Sequence, residues 1–327
     1  MKRLLLLVLG LTFAGSLGLE AFARLVLGLG DPPLTVLDSD LEYRFAPNQD
    51  VRRFGNRVVY NQWSMRSEPI GASKSDPNEL RVLVLGDSVI NGGALTDQSR
   101  LATTLAERQL SIGGRPSRVL NVSAGSWGPE NQLAYVRKFG LFDADVVILV
   151  VSTHDMADVM TFPADLGPAF PTERPLLATS ELLTRYLPRY LPIFTGSSLP
   201  AVDTLLIASA PTTEAIARSR LALRELVAWA RDAGARVYVV HHPEREEAVP
   251  SEEPLFMTLR DEVSVAGLPF LTTAELLGPV GSRGAFYRDP IHINERGQEL
   301  YAGVILCLVS LHSEGDASSC TVKRKTS

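Results

Sequence analysis

Cysteine is nearly absent from this chain. Only Cys307 and Cys320 occur among 327 residues, which excludes a cysteine-rich metal centre and leaves room for a single disulfide in an oxidising compartment. Basic clusters are missing too. The formal net charge is −5, and apart from Lys323-Arg324-Lys325 no Lys/Arg cluster appears, so nucleic acid is a poor partner class. There is no internal repeat and no low-complexity tract. What is present is ordinary for a globular protein: 45% apolar and 21% charged residues, in a chain long enough to bury a full core as one large domain.

Long uncharged apolar runs are confined to the start. Lys2 and Arg3 precede a run of 16 residues from Leu4 to Leu19, before Glu20 and Arg24 interrupt and Leu25 to Leu29 resume. Two readings stay open. A membrane anchor through residues 4–29 would place the Glu20/Arg24 pair, one helical turn apart, at the far interface. A cleaved signal peptide would use the small residues around Ala21-Phe22-Ala23. In both, the positive end stays inside and the rest is exported to the extracytoplasmic side.

The chain then divides into an extended, Pro/Asp/Asn/Arg-rich lead-in over 31–80, with a short strand expected at 56–61, a main domain over 81–313, and a tail over 314–327. In the main domain, β-branched apolar runs at 81–85, 118–122, 145–151, 236–241 and 268–272 alternate with helical segments at 99–110, 129–139, 212–233 and 295–311. Pro129 and Gly140 bound the second of these helices, and Gly234 follows the third. Strands apolar on both faces, alternating with helices, predict a doubly wound α/β domain with a mostly parallel five-stranded sheet covered on both sides. The 160–210 stretch is longer than a strand-to-helix connection needs. It is an insertion that serves as a lid, a substrate-side wall or a structural addition. It carries the aromatics Phe162, Phe170, Tyr186, Tyr190 and Phe194, which could stack on sugar rings, though core packing is their commoner use.

In such a sheet, function gathers at the carboxyl ends of the strands. The first sheet strand ends on Gly86-Asp87-Ser88. On its own this is an anion-binding turn or a helix cap. Some two hundred residues later, after the last strand, Asp289 precedes His292 by three positions. Asp289 can accept from Nδ1 of His292 and leave Nε2 for the Ser88 hydroxyl, the logic of a nucleophilic triad. The second strand exits into 121–132, where Gly125 and Ser126 offer backbone N–H groups to a developing oxyanion. The third exits into 151–158, with His154 and Asp155. His241 and His242 end the fourth strand and could imitate a metal cluster with Asp87, His154 and Asp155. Strand neighbours point to opposite faces, however, so a supporting role is expected for them and no metal site.

With these residues the chain resembles the SGNH, or GDSL, hydrolase family. "GDS" matches its nucleophile block, "NVSAG" its second block and "DPIH" its D-x-x-H block. The resemblance runs from about Arg81 to the end of the domain. It implies a flavodoxin-like fold, no cofactor, Ser88 as nucleophile, His292 as general base and Asp289 as its orienter. It also implies oxyanion donors at the N–H of Ser88 and of Gly125 or Ser126. The third block departs from the family's G-x-N-D: Ser152-Thr153-His154-Asp155 puts His154 where the oxyanion asparagine is expected, and the resemblance implies an imidazole N–H of His154 as a third oxyanion donor in its place. An exported protein of this kind implies hydrolysis of an ester, with an O-acetyl group on an extracytoplasmic polysaccharide as the expected substrate. Transfer of the acyl group to a glycan, or a non-catalytic glycan-binding or assembly role on the same fold, are the alternatives.

Overall fold

The computed structural model describes residues 1–112, 114–167, 169–187 and 212–314. Tyr190, Phe194, Cys320, the end of the insertion and nearly all of the tail lie outside the described residues. The apolar N-terminal run forms a helix, Lys2–Leu25, with an apolar window of mean hydropathy 1.9 that is long enough to cross a membrane.

The main sheet has five strands: β5 (Leu80–Gly86), β6 (Ser117–Ser123), β7 (Val146–Ser152), β8 (Arg236–His242) and β9 (Leu271–Thr272). All neighbours are parallel, in the order β6-β5-β7-β8-β9. In chain order that is 2-1-3-4-5, the doubly wound arrangement with its switch point at the carboxyl ends of β5 and β7.

The alternation within each strand builds two cores. Leu83, Leu85, Leu120, Val122, Val147, Leu149, Val237 and Val239 face one side, covered by helices Pro129–Phe139, Thr213–Asp232 and Pro254–Val265. Val82, Val84, Val119, Val146, Ile148, Val150, Tyr238 and Val240 face the other, covered by helices Ala102–Ile112 and Glu295–Glu314. Burial on both faces is why these strands read as unbroken apolar runs rather than alternating ones. The helices begin where the residue types dictate: Pro129 at a first-turn position, Thr212 accepting from the Ala215 N–H at 3.0 Å, and Glu253 from the Phe256 N–H at 2.9 Å.

Two expectations need correction. The lead-in is folded into two antiparallel hairpins, β1 (Thr35–Asp38) with β2 (Glu42–Phe45), and β3 (Gln49–Arg53) with β4 (Asn56–Tyr60). Only the last was expected. In β3 the inward face carries no apolar pattern, because it buries Arg53, which pairs with the buried carboxylate of Glu181. The last strand spans two residues instead of 268–272. Pro269 has no N–H to give to a ladder, so pairing with β8 begins only at Leu271.

The chain closes tightly around Gly297. A Cβ there would lie 2.5 Å from Ile293 Cβ and 2.7 Å from the Phe286 carbonyl oxygen, so residues 286–294 can fold back onto the last helix only over a glycine. Gly297→Ala is expected to destabilise the protein by about 1–3 kcal/mol, read as a lower urea midpoint with an unchanged denaturant slope.

Candidate active site

Ser88 begins a single-turn helix, Ser88–Asn91, immediately after β5. Asp87 caps it by accepting from the Val89 N–H at 2.9 Å. Gly92, in the left-handed conformation at φ 71°, ends it. A buried polar web stands behind the turn. Asn91 donates to the Ser123 carbonyl at 2.8 Å and accepts from the Tyr60 hydroxyl at 2.9 Å, while Asn121 donates to the Ile90 carbonyl at 2.8 Å. These bonds lock the first strand exit to the second and leave Ser88 only partly buried.

His292 reaches this turn from the far end of the chain. Its Nε2 lies 2.9 Å from Ser88 Oγ, and its Nδ1 lies 2.8 Å from Asp289 Oδ2. The other oxygen of Asp289 accepts the N–H groups of Ile291 at 2.9 Å and His292 at 2.7 Å. Burial opposes ionisation of Asp289. The His292 ring and these two N–H groups outweigh it and hold the carboxyl down at about 2. The loop is pinched at its base, where the Arg288 N–H donates to the His292 carbonyl and the Asn294 N–H to that of Phe286.

Two side chains tie the segments together, and a third steadies the His292 loop. The Arg288 guanidinium donates to the Gly92 carbonyl at 3.2 Å. Gln298, wholly buried, donates to the Val89 carbonyl at 3.3 Å and accepts from the Ala102 N–H at 2.8 Å. His242, also wholly buried, places Nε2 3.0 Å from the Ile291 carbonyl. Desolvation lowers the pKa of His242 to about 3, so its ring is neutral and Nε2 carries the proton for that bond. His241 is equally buried and lies between Thr153 and Thr272 hydroxyls at 3.0 and 3.1 Å. Asn91, Gln298 and Arg288 carry no local sequence signal for these roles, because each partner is distant in the chain; for His242 the strand end pointed to a supporting role but not to its partner.

At the second strand exit, Gly125 is wedged between aromatics. Its carbonyl accepts from the Tyr43 hydroxyl, and a Cβ would lie 3.1 Å from the Phe170 ring. Ser126 is left-handed at φ 55°. Among the described residues, no other group takes the N–H of Ser88, Gly125 or Ser126. Gly128 has a different purpose from turn geometry. A Cβ there would sit 2.1 Å from the Asp158 carbonyl oxygen and 2.9 Å from that of Asp155, so this glycine lets the second and third loops touch.

His154 sits in a short 3₁₀ turn, His154–Met156, just past the third strand exit. Its Nε2 lies 3.3 Å from Asp155 and 3.8 Å from Asp87, and its Nδ1 lies 3.2 Å from Glu244. None of its bonds reaches Ser88 or His292. Partial burial works against protonation, but Asp155, Glu244, Asp87 and Asp158 together raise its pKa to about 10, so at neutral pH it is an imidazolium. The carboxyls of Asp87 and Asp155 are almost fully buried. Desolvation pushes both up, most strongly for Asp155, which also feels the Asp87 charge. Desolvation also lifts Asp158 to about 6. Asp87, His154 and Asp155 place one ligating atom each within 4.8 Å of one another. They could hold a cation only with His154 deprotonated; as arranged, the imidazolium already supplies the positive charge.

Of the aromatics expected in the insertion, Phe170 packs on Tyr43 and Tyr186 on Phe54, whereas Phe162 is half exposed.

No protein-family model and no curated protein matches the chain. Among solved structures it is similar to an acetyl xylan esterase, AlAXEase, with 12% identity over 70% of this chain and 100% of that one, at a TM-score of 0.41. It is similar to TesA at 16% identity over 71% and 97%, with a TM-score of 0.41. It is also similar to a lipase/acylhydrolase from Enterococcus faecalis at 16% identity over 76% and 100%, with a TM-score of 0.40. Likeness this distant leaves the chemistry to be argued from the chain's own atoms.

The raised pKa of His154 makes a signed prediction. A group whose pKa rises on folding, here from 6.5 to about 10, adds stability that is fully present below pH 6.5 and lost as pH climbs through 10. His154→Gln should therefore melt below wild type at pH 6, with the gap narrowing steadily between pH 6.5 and 10. A pH-independent gap in calorimetric Tm would contradict the imidazolium.

Proposed function

We propose that this protein is a serine esterase acting through Ser88, His292 and Asp289. The observation that carries the reading is the continuous path Asp289–His292–Ser88, with 2.8 and 2.9 Å contacts on the two ring nitrogens. Asp289 accepts the Nδ1 proton, which fixes the tautomer in which Nε2 is a free base. As Ser88 Oγ attacks an acyl carbonyl, Nε2 takes its proton, and a tetrahedral oxyanion forms. The unused N–H groups of Ser88 and of Gly125 or Ser126 are the donors assigned to that charge; each such donor is worth about a hundred- to a thousand-fold in rate. The imidazolium then protonates the departing alkoxide. Water, activated by the same ring, releases the acid from the acyl-enzyme.

His154 acts in this reading through its charge. Held between Asp87 and Asp155, it offsets part of the negative charge of these two buried carboxyls, one residue from the nucleophile and three residues past β7. The negative charge behind the serine turn is thereby reduced as the oxyanion develops.

The substrate assigned is an acyl ester on the extracytoplasmic side, an O-acetylated polysaccharide being the class that suits an exported esterase. The apolar helix Lys2–Leu25 supports export and, in this reading, anchoring in the membrane. Water is the acceptor assigned. Chromatography of the products formed from an acetyl donor with a glycan present tests this, since acetylated glycan would convert the reading to acyl transfer.

Ser88→Ala should abolish labelling by a fluorophosphonate probe and lower kcat for p-nitrophenyl acetate by about 10³–10⁶-fold. Asp289→Asn should cost about 10⁴-fold in kcat with KM little changed. Turnover by Ser88→Ala at the wild-type rate would refute the nucleophile.

A further inference from the structure

The last turn of the apolar helix is bound into the folded domain. Ala23 is wholly buried, in a cluster with Leu29 and Ala178. Glu20, on the same turn, accepts from the N–H groups of Ala178 and Thr179 and from the Thr179 hydroxyl, each at 2.9 Å. It thereby caps the short helix Ala178–Glu181. Arg24 bonds Glu20 at 2.6 Å and, with its other arm, the Leu176 carbonyl at 2.6 Å. Glu181 in turn accepts from the Gly30 N–H at 2.7 Å and pairs with buried Arg53. Cleavage after Ala23 would remove the carboxylate that caps this segment.

The segment so fastened exposes leucines at the level where the helix leaves the lipid. Leu176 is 90% exposed, Leu183 55%, Leu177 49% and Leu187 41%. Leu183 and Leu187 are one helical turn apart and share a face. Glu20 lies 17 positions after Arg3, about 26 Å along a helix at 1.5 Å per residue, close to the roughly 30 Å hydrocarbon thickness. Glu20 and Arg24 thus fall at the far interface, and the Arg24–Leu176 bond fixes Leu176 at the same depth. At the helix end Leu25 is 85% and Val26 58% exposed.

We propose that residues 176–187 form a membrane-seated foot, with Leu176, Leu177, Leu183 and Leu187 inserted into the headgroup–acyl boundary of the bilayer that the N-terminal helix crosses. The proposal rests on the anchor reading of that helix. The seat has a functional consequence. Phe170, against Gly125, lies six residues before Leu176, so the second-loop donor sits within about 20–25 Å of the lipid surface at full chain extension. The esterase site is held beside the membrane instead of swinging free on a tether.

The test uses the full chain reconstituted in vesicles of phosphatidylcholine and phosphatidylglycerol. The environment-sensitive fluorophore NBD is attached at Leu11→Cys, Leu176→Cys, Leu183→Cys or Val265→Cys; Cys307 is disulfide-bonded. All of these positions are well exposed, so the fold tolerates the label. Brominated phosphatidylcholine should quench the probes at 11, 176 and 183 at least twofold more than the probe at 265, with blue-shifted emission at 176 and 183. Quenching at 11 with 176 and 183 behaving like 265 overturns the foot and leaves the anchor standing. Blue-shifted but unquenched probes at 176 and 183 mean that protein, such as residues 188–211, covers them, and this too overturns the proposal. A mature chain beginning after Ala23 removes the anchor and the foot together.

Discussion

A hydrogen bond between side chains 204 positions apart, from His292 to Ser88, is the contact that the rest of the fold is arranged to hold. A parallel sheet makes it possible, because every strand delivers its carboxyl end to one edge. The bond itself contributes little to stability, on the order of 1 kcal/mol. Its geometry is instead imposed from outside by Gln298, Arg288 and His242, each fixing one side of the junction. In the proposed reaction a base must not have to be found anew in each turnover, and a buried, bonded frame supplies that order in advance.

The same edge gathers negative charge. Removing Asp87 and Asp155 from water costs several kcal/mol per ion, and each recovers one backbone N–H bond, from Val89 and from Ser152. The remaining oxygens, Asp87 Oδ2 and Asp155 Oδ1, have no hydrogen-bond partner and face the His154 ring. The lead-in adds a further cation. Arg66, wholly buried, donates to the carbonyls of Asn91, Gly93 and Thr96, tying the loop after Ser88 to the hairpins. The lead-in is therefore part of the frame around the Ser88 turn and not a mere tether between helix and domain.

Legibility followed the kind of signal. Helix Pro129–Phe139 was readable to the residue because proline and glycine act locally on the backbone. Strands β5 to β8 were readable within one residue because burial on both faces leaves only apolar side chains. The hairpin β3–β4 was half visible, since Arg53 faces inward and is tolerated only by virtue of Glu181, 128 residues away. His154 is the same case: its position after β7 was evident, but the carboxylate from Glu244 that holds its second nitrogen comes from another strand exit.

Sequence by itself determined the strand pattern of the main domain, the apolar N-terminal helix, and the candidate set of Ser88, Asp289 and His292, because periodicity, punctuation and short motifs are properties of neighbouring residues. Tertiary structure alone decided which distant groups meet: that the His292 ring lies against Ser88, that His154 is surrounded by carboxylates, and that Glu20 of the apolar helix caps a segment of the insertion. Charge neutralisation and hydrogen-bond closure act through space between residues far apart in the chain, and no local pattern encodes a partner.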